Sequence, residues 1–260
     1  AGPGSGKTRT MVAKYLHLLV NKNIDPTKIL FLTFGNKATE EIQKRTIKQL
    51  VKIGYPFGVD DLNISTIHGF CNQTINDNRK LLSRIYKPTV VLDEHAQVSF
   101  ILSFFDNYSD TRNKAAECRR IHKNIAQYFN KITDCNLNAD QILNFLNNIT
   151  KESFQIYKNN NKDVIDLAKG VGKLVNYTAL YRVYIDKMIA SSFTDFGNIQ
   201  KFLLDEISIN KNLLNFLQNK YEYFLIDEYQ DTSYLQSKII LSIADPKMNI
   251  TVCGDDDQSL

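Results

Sequence analysis

Apolar positions change their period several times along this chain, and the changes outline its elements. Met11, Val12, Tyr15, Leu16 and Leu19 recur at helical spacing, so a helix is predicted to start at Lys7 and end between Asn21 and Pro26. Ile29 to Phe34 (ILFLTF) is a short unbroken apolar run. Without polar alternation it reads as a parallel strand buried on both faces. From Lys37 to Leu50 the helical period returns, with Ala38, Ile42 and Leu50 on one side and the i,i+4 pairs Glu40–Lys44 and Glu41–Arg45 on the other. Gly54 to Asp61 reads as a loop, Asn63 to Thr66 as a short strand, His68 as the opening of a helix and Thr89 to Leu92 as a brief strand.

Beyond about residue 96 the texture becomes helical. Leu102, Phe105, Ile121, Ile125, Phe129, Ile142, Leu143 and Leu146 mark amphipathic helices, and Asn159-Asn160-Asn161 marks a polar loop. Alternating strand and helix signals return with Tyr221 to Ile226, a helix over Ser233 to Ala244 and a strand over Ile250 to Cys253. The pattern predicts an α/β domain with a parallel sheet, interrupted by an all-helical insertion of roughly 100 residues, enough to fold as its own unit. The expected divisions are 1–95, 96–190 and 191–260.

Composition narrows this only a little. With 43% hydrophobic and 23% charged residues among 260, the chain is ordinary globular protein. An excess of 32 basic over 28 acidic residues permits a nucleic-acid partner but does not argue for one. The cysteines at 71, 118, 135 and 253 form no C-x-x-C pair, which disfavours zinc and suits reduced thiols in a cytoplasmic setting. No apolar run approaches the ~18 residues of a membrane span, so no membrane partner is expected.

The chemistry begins with the first residues. Ala1 to Thr8 reads AGPGSGKT, close to the phosphate-cradling pattern G-x-x-x-x-G-K-[ST] except that Ala1 stands where glycine is usual. Gly4 and Gly6 let backbone N–H groups converge on an anion, whereas Pro3 has none to give. Lys7 adds charge near the β- and γ-phosphates, and Thr8 offers a hydroxyl to Mg²⁺. A Gly-rich turn capping an ordinary helix is the plain alternative. Asp227-Glu228 follows the apolar run of residues 221–226, placing two carboxylates at the carboxyl end of a strand, where open α/β sheets bind ligands. Asp227 would hold the metal, directly or through water, and Glu228 would orient and deprotonate an attacking water. At the end of the last strand, Gly254-Asp255-Asp256-Asp257-Gln258 places an amide where it can read the γ-phosphate without adding charge. A loop of this kind normally follows a buried strand. No residues precede Ala1 to form it, so a piece of a longer protein is expected.

AGPGSGKT, LTFGNKATEEIQKR, STIHGFC, LIDEYQDT and VCGDDDQSL, in this order, closely resemble motifs I, Ia, Ib, II and III of the UvrD/Rep/PcrA group of superfamily-1 DNA helicases. TDFGNI at Thr194 resembles that family's D-F-D-D-L segment. The resemblance implies a RecA-like P-loop domain (1A) split by a helical domain 1B, and a motor that moves 3′ to 5′ on single-stranded DNA and unwinds duplex. ATP and Mg²⁺ are the implied cofactors. Ala1, Gly2, Pro3, Gly4, Ser5, Gly6, Lys7, Thr8 and Arg9 would bind ATP, with Thr8 and Asp227 on the metal. Glu228 and Lys7 would be catalytic, and Gln230 and Gln258 would link the γ-phosphate to DNA movement.

For DNA, Phe34 matches the motif Ia aromatic that stacks on a base, while Asn36, Lys37, Thr66 and His68 would touch the backbone. An aromatic at a strand end is also often core, and a lone histidine often caps a helix. Gly35, Gly69 and Gly197-Asn198 depart from the family's Thr, Ser and acidic pair. The adenine-reading Gln segment would lie before Ala1. The stacking aromatics and the second RecA-like domain, with its arginine finger, would follow Leu260. One lobe alone is expected to bind nucleotide weakly and not to unwind DNA. Two alternatives stay open: the motor part of an AddA/RecB-type helicase-nuclease, or a P-loop ATP switch that docks on DNA without unwinding it.

Overall fold

A computed structural model describes residues 6–56, 58, 61–88, 90–105, 115–156 and 161–255. Contacts divide the chain into two compact units, one formed by Ala1–Tyr86 with Ile199–Leu260 and the other by Lys87–Asn198.

The first unit is built on a four-stranded parallel sheet. Its strands are β1 (Ile29–Thr33), β2 (Ile64–Thr66), β5 (Tyr223–Ile226) and β6 (Ile250–Val252), in the order β2-β1-β5-β6. Every residue of β1 is buried, as its unbroken apolar run requires. The two-residue strand period divides those side chains between two cores. Leu30 and Leu32 join Phe224 and Ile226 on one face, under α3 (Ile67–Asp77), α9 (Lys211–Lys220) and α10 (Tyr234–Ala244). Ile29 and Phe31 join Leu225 on the other, under α1 (Lys7–Leu16) and α2 (Asn36–Lys52). The result is a three-layer α/β sandwich, the expected fold class.

Each expected element of this unit is present, with ends set by local chemistry. The first helix does not run unbroken: α1 passes into a π turn over His17–Asn21, which the apolar spacing did not reveal. The strand expected from Tyr221 starts at Tyr223, because the Tyr221 N–H closes α9 by donating to Leu217 O. Ser233 is the cap of α10, in a reciprocal capping box with Gln236. Both charge pairs on α2 form: Glu40–Lys44 at 3.5 Å, and Glu41 with Arg45.

The second unit carries α4 (Glu94–Phe105), α5 (Ala115–Asp134), α6 (Ala139–Ile156) and α7 (Asn161–Ala190), around a core that includes Ile101, Phe104, Phe129, Tyr181 and Tyr184. It also contains a parallel pair, β3 (Val90–Leu92) with β4 (Phe193–Asp195), in addition to the helices expected there. The helix α8 (Phe196–Ile209) follows β4 directly. Asp195 is buried and gathers donors, from Tyr184 Oη at 2.6 Å, Asn198 N at 2.7 Å and Asn198 Nδ2 at 2.9 Å. An added Cβ at Gly197 would meet Thr133 Cγ2 at 3.0 Å, so glycine here lets α5 approach closely. The Gly-Asn pair in place of two acids thus serves packing and a carboxylate cap. Among the described residues, no helix is long and apolar enough to cross a membrane.

Candidate functional site

All four strands of the main sheet are parallel, so their carboxyl ends share one edge. The polar residues singled out by sequence collect there. Gly6, at φ 87°, is the N-cap of α1; only a residue tolerant of the left-handed region turns the chain this way. The turn presents Lys7 and Thr8 at the positive end of the helix, where an anion is favoured. Arg9, one position on, is exposed.

Thr8 Oγ1 donates to Asp227 Oδ2 at 3.2 Å, and Lys7 Nζ lies 3.1 Å from Asp255 Oδ2. Asp227 is placed by the sheet itself, since its N–H donates to Leu32 O on β1. Its other oxygen, Oδ1, accepts the Glu228 N–H at 3.1 Å. Glu228 has φ 53°, a left-handed conformation that a non-glycine residue adopts at a cost of about 1–3 kcal/mol. Burial, then the neighbouring Glu228 charge, raise the Asp227 carboxyl above the ordinary aspartate value, against the pull of Thr8, the Glu228 N–H and Lys7. Burial draws the Lys7 ammonium down, but the Asp255 contact, together with the charges of Asp255, Glu228 and Cys253, holds the group above the ordinary lysine value.

Gln230 ties two strand ends together. Its Nε2 donates to Glu228 Oε2 at 2.8 Å, and its Oε1 accepts the Asp255 N–H at 3.1 Å. An added Cβ at Gly254 would stand 2.8 Å from that Oε1, so a side chain here would push the Gln230 amide aside. Asp255, buried beside Lys7, was not among the site residues read from sequence, where the acidic turn was read only for its glutamine. Its position directly after a strand and a glycine was the available signal.

A hydroxyl and a buried carboxylate in contact, with a second carboxylate adjoining, make a hard-oxygen donor set suited to Mg²⁺. Among the described residues no group of three or more His, Cys, Asp or Glu forms a cage. Ala1, Gly2, Pro3, Gly4, Ser5 and Gln258 lie outside the described residues, as do Thr89, Asp256 and Asp257.

On the neighbouring strands, Phe34 leaves the core at the end of β1 and is 53% exposed. Its backbone turn is held by Thr33 and Thr39, whose hydroxyls are 2.5 Å apart, with Thr39 Oγ1 donating to Gly35 O at 3.2 Å. Asn36 and Lys37 open α2 and are exposed. Thr66, paired in register with Thr33, caps α3 by accepting the Gly69 N–H at 3.0 Å, which leaves its own proton to donate. His68 is half-buried, and burial lowers its pKa below the ordinary histidine value. The Lys7–Thr8–Asp227 cluster and the Phe34 and Thr66 strand ends therefore occupy adjacent stretches of one sheet edge.

The family model of the UvrD/REP helicase N-terminal domain matches residues 1–260. Similar proteins include a probable DNA helicase II homolog of Mycoplasma capricolum subsp. capricolum, 27% identical over the whole chain and 32% of the relative. The ATP-dependent DNA helicase Rep of Buchnera aphidicola subsp. Baizongia pistaciae is 29% identical, again over the whole chain, which covers 33% of it. The ATP-dependent DNA helicase PcrA of Bacillus subtilis is 27% identical over the whole chain and 31% of its own length. The chain thus spans about a third of the length of these relatives.

Proposed function

We propose, from the premise that this chain belongs to the UvrD/REP helicase N-terminal domain family, that it is the ATP-binding lobe, domains 1A and 1B, of an ATP-dependent DNA helicase moving 3′ to 5′ on single strands. The observation that carries this is the meeting of Thr8 with Asp227, and of Lys7 with Asp255, at the carboxyl edge of the sheet. Lys7 and the N–H groups around Gly6 bind the β- and γ-phosphates, with Arg9 near the nucleotide. Thr8 and Asp227 hold Mg²⁺, which when bound neutralises charge developing on the transferred phosphoryl oxygens. Glu228 takes a proton from the attacking water. Gln230, fixed between Glu228 and Asp255, senses whether the phosphate is present, and Gln258 is assigned the same task.

Phe34 gives a base-stacking platform that works on any sequence, as a motor needs. Asn36, Lys37, Thr66 and His68 hold the DNA backbone beside it. A second RecA-like lobe, in the part of such proteins that this chain does not span, would complete the ATP site with arginine donors. Those donors are worth roughly 10³–10⁵ in rate in related phosphoryl-transfer enzymes. One lobe by itself then binds nucleotide and turns it over poorly. The setting of such a motor is cytoplasmic.

The test is Glu228→Gln in the intact protein. Binding of a non-hydrolysable ATP analogue should persist while turnover falls by about 10²–10⁴, the span of general-base catalysis. Turnover that survives would remove Glu228 from the role.

A further inference from the structure

Lys7 is engaged before any phosphate arrives. Its ammonium lies 3.1 Å from Asp255 Oδ2, and the two side chains are only 10% and 1% exposed. The contact is charge-assisted, and an incoming anion must compete with it for the ammonium. Phosphate approaching Lys7 also enters the field of Asp255, Asp227 and Glu228, all of the same sign as itself. The Asp255 segment is not free to respond alone. Its N–H is held by Gln230 Oε1 at 3.1 Å, and Gly254 packs against the same oxygen. Gln230 in turn donates to Glu228 at 2.8 Å.

We propose that Asp255 is a positioning residue that holds Lys7 in the nucleotide-free protein and yields it to the β- and γ-phosphates. In the same exchange, Gln230 carries the displacement of the 254–255 segment to Glu228. The proposal rests on the ATP-binding reading above and adds to it an internal competitor for the phosphate site. Asp255 lowers affinity for the triphosphate and makes the placement of the general base depend on the nucleotide. AMP has no phosphate that reaches Lys7, so it does not trigger the exchange.

The experiment is equilibrium binding of a fluorescent non-hydrolysable ATP analogue with Mg²⁺, and of AMP in competition, to the chain and to its Asp255→Asn and Asp255→Ser variants. Circular dichroism checks that each variant folds. The expected result is roughly tenfold tighter binding of the triphosphate analogue by both variants, since a charge-assisted contact to Lys7 is lost, and unchanged AMP affinity. Equal or weaker triphosphate binding would overturn the proposal, as would equal gains for AMP. Failure of both variants to fold would make Asp255 a structural residue and also overturn it. If the unaltered chain binds no triphosphate analogue at all, the ATP-binding reading itself falls.

Discussion

Thr8 Oγ1 and Asp227 Oδ2 are 3.2 Å apart although 219 positions separate them in the chain. The contact joins the first helix to the end of β5, and it is the pair proposed above to hold a metal ion. It is also costly, because Asp227 is buried next to Glu228 and its carboxyl is raised above the ordinary value. The folded protein therefore holds the Asp227 proton more tightly than the unfolded chain. As pH rises from the ordinary aspartate value through the raised one, this residue withdraws stability. Asp227→Asn should then raise the Tm of the nucleotide-free chain at pH 7 by about 2–4 °C, with little gain at pH 3. The same substitution should abolish Mg²⁺-dependent nucleotide binding. Thermal melts at the two pH values decide it.

The Gly254 contact gives a second expectation. In Gly254→Ala the new methyl group would displace the Gln230 amide, which is the far end of a flexible side chain. The fold should lose only about 1 kcal/mol, the worth of the Gln230–Asp255 hydrogen bond. In the intact protein, stimulation of ATP turnover by single-stranded DNA should fall more than nucleotide affinity does. A steady-state assay with and without DNA measures the difference.

Phe34 supplies the third. Exposed at 53%, it contributes little to the core, so Phe34→Ala should leave the melting temperature nearly unchanged. Single-strand affinity should drop by about 1–3 kcal/mol, the value of one stacked base. Fluorescence anisotropy with a labelled oligonucleotide reads this directly; a large loss of stability with unchanged affinity would return Phe34 to a packing role.

His68 supplies the fourth. Its pKa is lowered by burial, so it contributes stability above pH 6.5 that is lost as pH falls through its folded value. His68→Asn should flatten the pH dependence of Tm between pH 7 and pH 5. Because the imidazole is neutral at pH 7, the salt dependence of DNA binding there should not change, whereas Lys37→Ala should reduce its slope by roughly one counterion.

Much of this was legible in the sequence because it is local. The unbroken run at residues 29–33, the helical spacing of Ile42 and Leu50, and the Gly-Lys-Thr turn each encode their own element. What escaped depends on contacts between distant segments or on small energy differences. The Lys7–Asp255 pair spans 248 positions, and no local pattern marks which acid of the turn meets the lysine. The π turn at His17–Asn21 keeps nearly the same apolar face as the helix it replaces, so periodicity does not reveal it. The departures at Gly69 and Gly197 were legible as differences. Their meaning came from what stands around them: a Cβ at Gly69 would crowd the Thr66 capping oxygen at 3.1 Å, and one at Gly197 would press on Thr133.

The central claim is that Thr8 and Asp227 form one magnesium–nucleotide site with Lys7. Calorimetric titration of the chain with a non-hydrolysable ATP analogue, with Mg²⁺ and then with excess chelator, tests it most directly when repeated on Thr8→Ala. The expected result is that chelation weakens binding to the unaltered chain at least tenfold and has no further effect on the variant. Equal dependence on Mg²⁺ in both proteins would contradict the assignment.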